Sequence, residues 1–421
     1  MRNFTFKGLF LTAVFMLLGC LSIQAADDYL ITKQITIKLD EAGTLPDKIG
    51  SDRKYQITNL KLIGEINGTD LRMIREMAGS DYQDNPTAGK LSVLDLSEAK
   101  IVGGGAYYCE FFGSYCSTSN DVIDYYAFVN CSELTSINLP SSITKIGNYV
   151  FLGCSGLTSI NIPASITKIG TGTFQGCSGL TSINIPASIT EIGTGAFYDC
   201  SGLTSINIPS SITKIGSNAF YSCSGLTGIN IPSSITKIES GTFQGCSGLT
   251  SINLPASISY IYGNAFSGCS GLKSINIPSS ISYIREYTFR GCSGLKSINI
   301  PASIIEIGLS AFYGCSGLTS IYVYAEKVPK VGSYVFKGVD KKNCTLYVPQ
   351  GTETDYFLAD VWGDFGNIVE FNPTGIDKTT TSTDVEEVSR YSVNGQRLVG
   401  PTKGLNIVKY SDGSVKKVAV E

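Results

Sequence analysis

The sequence predicts a predominantly β solenoid closed by a cap at each end, and three observations predict it. A 23-residue unit recurs nine times between Phe128 and Leu318, each unit carries an alternating apolar strand pattern, and the period blurs on both flanks. The period is the strongest of the three. Cys131, Cys154, Cys177, Cys200, Cys223, Cys246, Cys269, Cys292 and Cys315 are in step, and Phe128 to Phe312, Leu134 to Leu318 and Ile137 to Ile321 keep the same beat. Such self-similarity means stacked coils, here a right-handed superhelix in which no unit can bury its apolar face without its neighbours. It implies no small-molecule pocket.

Within one unit, Leu157-Thr-Ser-Ile160-Asn-Ile162-Pro163 has the L-x-x-I-x-I form of a leucine-rich repeat strand, with Ser159 and Asn161 directed to solvent. Pro163 ends the strand because it has no N–H to donate, and Gly156 suits a backbone position with positive φ. Ile166 and Ile169 follow in the β-branched stretch Ser-Ile-Thr-Lys-Ile-Gly, too short and too poor in helix formers for an outer helix. A second short strand or extended turn is expected there.

The unit from Ser165 to Pro186, SITKIGTGTFQGCSGLTSINIP, resembles the BspA-like leucine-rich repeat of bacterial surface proteins, and copies of it fill about half of the chain. The resemblance implies a leucine-rich repeat solenoid of 23-residue coils in a surface-exposed or secreted protein of Bacteroidetes type. It also implies adhesion to, or recognition of, host or partner molecules. That functional expectation is family analogy, since repeat scaffolds host many ligands.

Composition narrows the chemistry. The 421 residues contain no histidine, carry a net charge of −3 and are 16% charged. A near-neutral surface argues against nucleic acid, which selects a basic stripe. Without histidine there is no Ser-His or Cys-His nucleophile pair and no imidazole metal site. Carboxylate-only or lysine chemistry is formally left open, but no paired-carboxylate or nucleophile motif stands out. The expectation is a protein that is not an enzyme and uses no cofactor and no metal.

Residues 1–25 read as a signal peptide: Arg2 and Lys7, an apolar run from Gly8 to Leu21, then Ser-Ile-Gln-Ala-Ala with cleavage after Ala25. Leu17-Leu18-Gly19-Cys20 resembles a lipobox, so a lipid anchor at Cys20 is the rival reading. Both place the mature chain outside the cytoplasm, and no later apolar stretch reaches the roughly 18 residues a membrane span needs. Thirteen cysteines in such a chain ordinarily suggest disulfides. Nine of them form one same-facing column, better explained as small buried fillers. Zinc is disfavoured, because no Cys-x-x-Cys pair exists. Cys109 and Cys116 are the one plausible bridge.

Residues 26–130 read as an N-terminal cap of degenerate repeats, with strand patterns at Tyr55–Gly64 and Lys90–Ser97 and a helix over Asp70–Ala78 opened by Thr69. Regular repeats occupy 131–322. A variant repeat and C-terminal cap follow over 323–371, with a short helix near Asp355–Trp362, a strand at Asn367 and Trp362 as the plug. Residues 372–385 have linker composition. Residues 386–421 offer three strand-like pieces, Val388–Val393, Gly404–Tyr410 and Ser414–Val420, with turns at Asn394-Gly395 and Asp412-Gly413. This tail resembles the C-terminal sorting domains of type IX secretion; a small β appendage without an export role is the competing reading.

Positions that vary inside a fixed repeat are free of core duty. The outward residue of the second short strand runs Lys145, Lys168, Glu191, Lys214, Lys237, Tyr260, Tyr283, Glu306. In the same region Tyr262, Arg285, Glu286, Tyr287 and Arg290 replace small or polar residues, and Lys273 and Lys296 replace threonine on the first strand. Tyrosine and arginine are enriched at interface hot spots, so residues 260–290 form the expected ligand-binding patch. Sequence drift on a solvated face is the bland alternative. The repeated Ser159/Asn161 face, roughly 40 Å long at about 4.8 Å per coil, is a second surface, better read as amides bonding along their own column. Host or microbial surface proteins are the expected partners. Glycan capture for nutrient uptake and a structural envelope role are the alternatives.

Overall fold

The structure is a computed structural model that describes residues 30–111, 113–372, 387–392, 397–410 and 415–420. The chain divides into two units, Met1–Phe371 and Asn372–Glu421. The signal peptide, Cys20, most of the linker and both tail turns lie outside the described residues.

The first unit is a mostly β solenoid of about fifteen turns. Strands β1 (Ile35–Leu39), β2 (Asn59–Ile66) and β3 (Val93–Ile101) pair in parallel with one another and then with Ser136–Asn138 and Ser159–Ile160, in one sheet. The same parallel pairing continues coil by coil, Ser182 opposite Ser205 and Ser251 opposite Ser274, to Thr345–Pro349 and Asn367–Phe371. A second ladder forms at the expected second strand: Lys168 pairs with Glu191, Glu191 with Lys214, Tyr283 with Glu306 and Glu306 with Lys330. Its strands in the regular coils are two residues long, one side chain outward and one buried isoleucine inward.

Between the ladders the Phe-x-x-Cys turn also bonds from coil to coil, the Phe151 amide donating to Thr173 O at 2.9 Å and the Phe174 amide to Ala196 O at 2.8 Å. Identical coils therefore superpose identical side chains. The phenylalanine rings stack from Phe128 to Phe336 with centroids 5.3 to 5.7 Å apart. Stacking of this kind adds about 0.5–1.5 kcal/mol per pair to the burial of the rings.

The cysteines do more than fill space. From Cys154 to Cys315 each thiol of the column reaches back 26 residues to the phenylalanine carbonyl of the coil before, as Cys154 Sγ donates to Phe128 O at 3.0 Å and Cys200 Sγ to Phe174 O at 3.0 Å. Burial pushes the Cys200, Cys246 and Cys315 thiols up to about 12, which keeps the donating proton in place. All described cysteines are free, and from Cys154 to Cys315 each sulfur of the column meets a carbonyl of the coil before. Cys109 and Cys116, the expected bridge, face each other across the antiparallel pair β4 (Gly104–Phe111) and β5 (Ser114–Thr118), and are likewise free thiols.

Two local expectations are corrected. Gly156 does not have positive φ; its Cβ would sit 2.3 Å from Ser132 O, so glycine there permits the close approach of one coil to the last. Positive φ falls instead three residues earlier, at Gly153 (φ 73°), just before the cysteine. In the N-terminal region helix α1 (Leu45–Ile49) precedes α2 (Gly68–Met77), whose cap is Asn67 rather than Thr69. Asn67 Oδ1 accepts from the Thr69 amide and the Asp70 carboxylate accepts from the Asn67 amide, each at 2.9 Å. Arg75 of α2, fully buried, donates to Tyr126 O and Asp81 O at 2.9 Å and so ties this region to the first regular coil.

At the other end, α3 (Glu353–Leu358) and Trp362 close the core. Trp362 is buried against Phe336, the last ring of the column, at 5.3 Å, and its Nε1 donates to Pro329 O at 3.1 Å. The second unit is a four-stranded antiparallel sheet of Glu387–Ser392, Arg397–Leu398, Gly404–Tyr410 and Val415–Val420. Buried Asn406 anchors it, donating to Thr402 O and accepting from Arg390. Among the described residues no helix is long and apolar enough to cross a membrane.

Candidate interaction surface

On the first ladder several outward polar residues bond to the scaffold. Thr158, Thr204 and Thr250 donate their hydroxyls to the carbonyl one coil back, and Asn161 accepts from the Leu139 amide at 2.7 Å. The threonines bond to backbone one coil away, and Asn161 bonds to Leu139 backbone rather than to a neighbouring amide.

The second ladder carries two kinds of surface. Glu191 lies between Lys168 at 3.0 Å and Lys214 at 2.7 Å, and hydrogen bonds from the two ammonium groups hold its carboxyl below the ordinary range. Further along, Tyr260 and Tyr262 meet at 4.4 Å. The Arg285 guanidinium sits 5.0 Å from the centre of the Tyr260 ring and 4.8 Å from that of Tyr283, and donates to the Tyr260 hydroxyl. Arg285 makes no ion pair among the described residues, and its Nε is buried without a partner. Beside Tyr283 runs a surface groove of about 410 Å³ lined by Ile304, Ile305, Glu306, Val328 and Lys330, with Ile305 55% exposed.

The residues expected to form one patch thus divide. Tyr260, Tyr262, Tyr283 and Arg285 come together. Tyr287 and Arg290 stand in the phenylalanine turn, where Arg290 lies 5.9 Å from the Tyr287 ring and 5.6 Å from that of Tyr313. Lys273 and Lys296 stand at the head of the first ladder, exposed at positions where other coils bond through threonine. Sequence reasoning missed Tyr313, Tyr334 and Lys337, although Tyr313 follows Arg290 by one period. It also missed a second aromatic group in which Tyr322 and Tyr347 stack at 4.3 Å, with Phe371 edge-on to Tyr324 at 5.1 Å. No cluster of acidic residues and cysteines among the described residues has the makings of a metal site.

A stack of short parallel strands over a Leu/Ile/Phe/Cys interior, with its individuality confined to outward positions, defines a leucine-rich repeat solenoid. Six copies of the BspA type leucine rich repeat region match residues 106–227 and 213–343, and the chain belongs to that family. A leucine-rich repeat protein from Bacteroides ovatus ATCC 8483 is 32% identical with a TM-score of 0.50, over 61% of this chain and 66% of that one, just under two thirds of its length. A leucine rich repeat protein from T. pallidum is 31% identical over 36% of this chain and 71% of its own, with a TM-score of 0.34. A leucine rich cell surface protein from Faecalibacterium prausnitzii A2-165 is 25% identical over 63% and 86%, with a TM-score of 0.31. None of the curated proteins compared with the chain matches it.

Proposed function

We propose that this is an exported surface protein that adheres to or recognises a partner protein through the face built on Tyr260, Tyr262, Tyr283 and Arg285. One observation carries the reading: on a uniform ladder, a stretch in which Glu191 pairs with Lys168 and Lys214 gives way to aromatic rings around a guanidinium that makes no ion pair among the described residues, beside a partly apolar groove. A rigid scaffold that places Tyr and Arg next to a groove fits the composition of interface hot spots. Export is supported by the signal-like N-terminus, with cleavage after Ala25 or lipidation at Cys20, and by the sorting-like sequence of residues 386–421 beyond the 372–385 linker. Glycan capture is less favoured, since one face of both the Tyr260 and Tyr283 rings is occupied by Arg285 and withheld from stacking on a sugar.

The test is binding of the whole chain to panels of extracellular-matrix proteins and glycans. For a protein hit, the triple variant Y260A/Y283A/R285A with an unchanged melting profile is expected to lose at least about 30-fold in affinity. Unchanged affinity would sink the assignment of this face.

A further inference from the structure

Tyr287, Arg290, Tyr313, Lys337 and Tyr334 line one edge of three successive coils as alternating rings and cations. Arg290 lies between the Tyr287 and Tyr313 rings at 5.9 and 5.6 Å, and Lys337 between Tyr313 and Tyr334 at 5.9 and 5.2 Å. Neither cation makes an ion pair among the described residues, whereas Lys341 close by is neutralised by Asp364 at 2.6 Å. Both cations are exposed, Tyr334 is 63% exposed, and a groove of about 350 Å³ adjoins Tyr334, Lys337 and Val361.

We propose that this edge binds an acidic stretch of a partner polypeptide, carboxylates meeting Arg290 and Lys337 while side chains between them pack on the tyrosine rings. The proposal rests on the interaction-protein reading and adds the chemistry of the partner. Charge sets its sign: from Tyr260 to Thr345 the chain has nine lysines and arginines against four acidic residues, although its whole net charge is −3. The rings set its form. Each holds a cation in place by its π face while leaving the N–H donors free for a carboxylate, so less rotamer freedom is lost on binding. Spacing agrees: the two coil steps from Phe289 to Phe336 measure 5.3 and 5.5 Å, so Arg290 and Lys337 are about 11 Å apart along the stack, the rise of roughly three residues of extended chain. A densely charged polyanion matches poorly, because ring faces interrupt the cations.

The test measures binding of the whole chain to a labelled peptide with glutamate at every third residue, to its glutamine counterpart and to heparin. The glutamate peptide is expected to bind roughly tenfold tighter than the glutamine peptide, and R290Q or K337Q, with unchanged melting, to lose roughly threefold each. Equal affinity for the two peptides, indifference to both substitutions, or tighter binding of heparin through the same two residues overturns the proposal. The two readings fail separately: a protein ligand lost in Y260A/Y283A/R285A but retained in R290Q/K337Q leaves the Tyr260 face standing and removes this edge.

Discussion

The coils around Glu191 and those around Tyr283 have the same interior and opposite exteriors. Under both, phenylalanine rings stack at about the same spacing and a thiol donates to the preceding carbonyl. On top, Glu191 pairs with both Lys168 and Lys214, while Arg285 is held by the Tyr260 and Tyr283 rings without an ion pair among the described residues. On the proposed reading, stability and recognition fall to different positions of one 23-residue unit, so that a surface can be rewritten without touching the core.

The comparison breaks if the two interiors are not equivalent. F197A and F289A, one under each region, are each expected to lower unfolding stability by about 3–5 kcal/mol in urea titrations. Costs that differ by more than about 1.5 kcal/mol would mean that the exterior difference reaches the core. C200A and C292A sharpen the same point at smaller scale, since both delete an S–H···O bond and little volume. About 1–2 kcal/mol each is expected, with C292S recovering part of it by restoring a donor.

The exteriors are compared through E191Q, expected to cost about 1 kcal/mol at low salt and almost nothing at high salt. Its pH dependence has a definite sign. The Glu191 carboxyl lies below its ordinary 4.5 in the folded chain, so its contribution is present above that value and lost as pH falls through the folded value. Wild type and E191Q should therefore converge in stability on acidification, and a gap that widens instead would contradict the ion-pair account.

The period made the ladders, the rings and the inward cysteines legible, because residues 23 apart in a stack must lie over one another. The role of the thiol was not legible, since its acceptor lies 26 residues back and becomes a neighbour only once the coil is closed. Gly153 and Gly156 were confused for a similar reason: positive φ and close approach both select glycine, and only coordinates tell them apart. The Tyr260 cluster was read from departures within a fixed unit. The Tyr313 and Lys337 edge was not, because tyrosine also follows phenylalanine at Tyr198 and Tyr221, so that Tyr313 is no departure, and the insertion that moves Phe336 to 24 residues after Phe312 shifts Lys337 out of step.

The ring column also makes the molecule a ruler. Each coil makes the same contacts with the coil above and below, so adding or deleting one 23-residue unit creates no contact that does not already exist. Such a change carries the coils on its far side along the stack by one strand spacing, about 4.8 Å. The distance from Trp362 to a surface feature is thus set by counting whole units, and reach can change by integers while the chemistry at the tip stays the same.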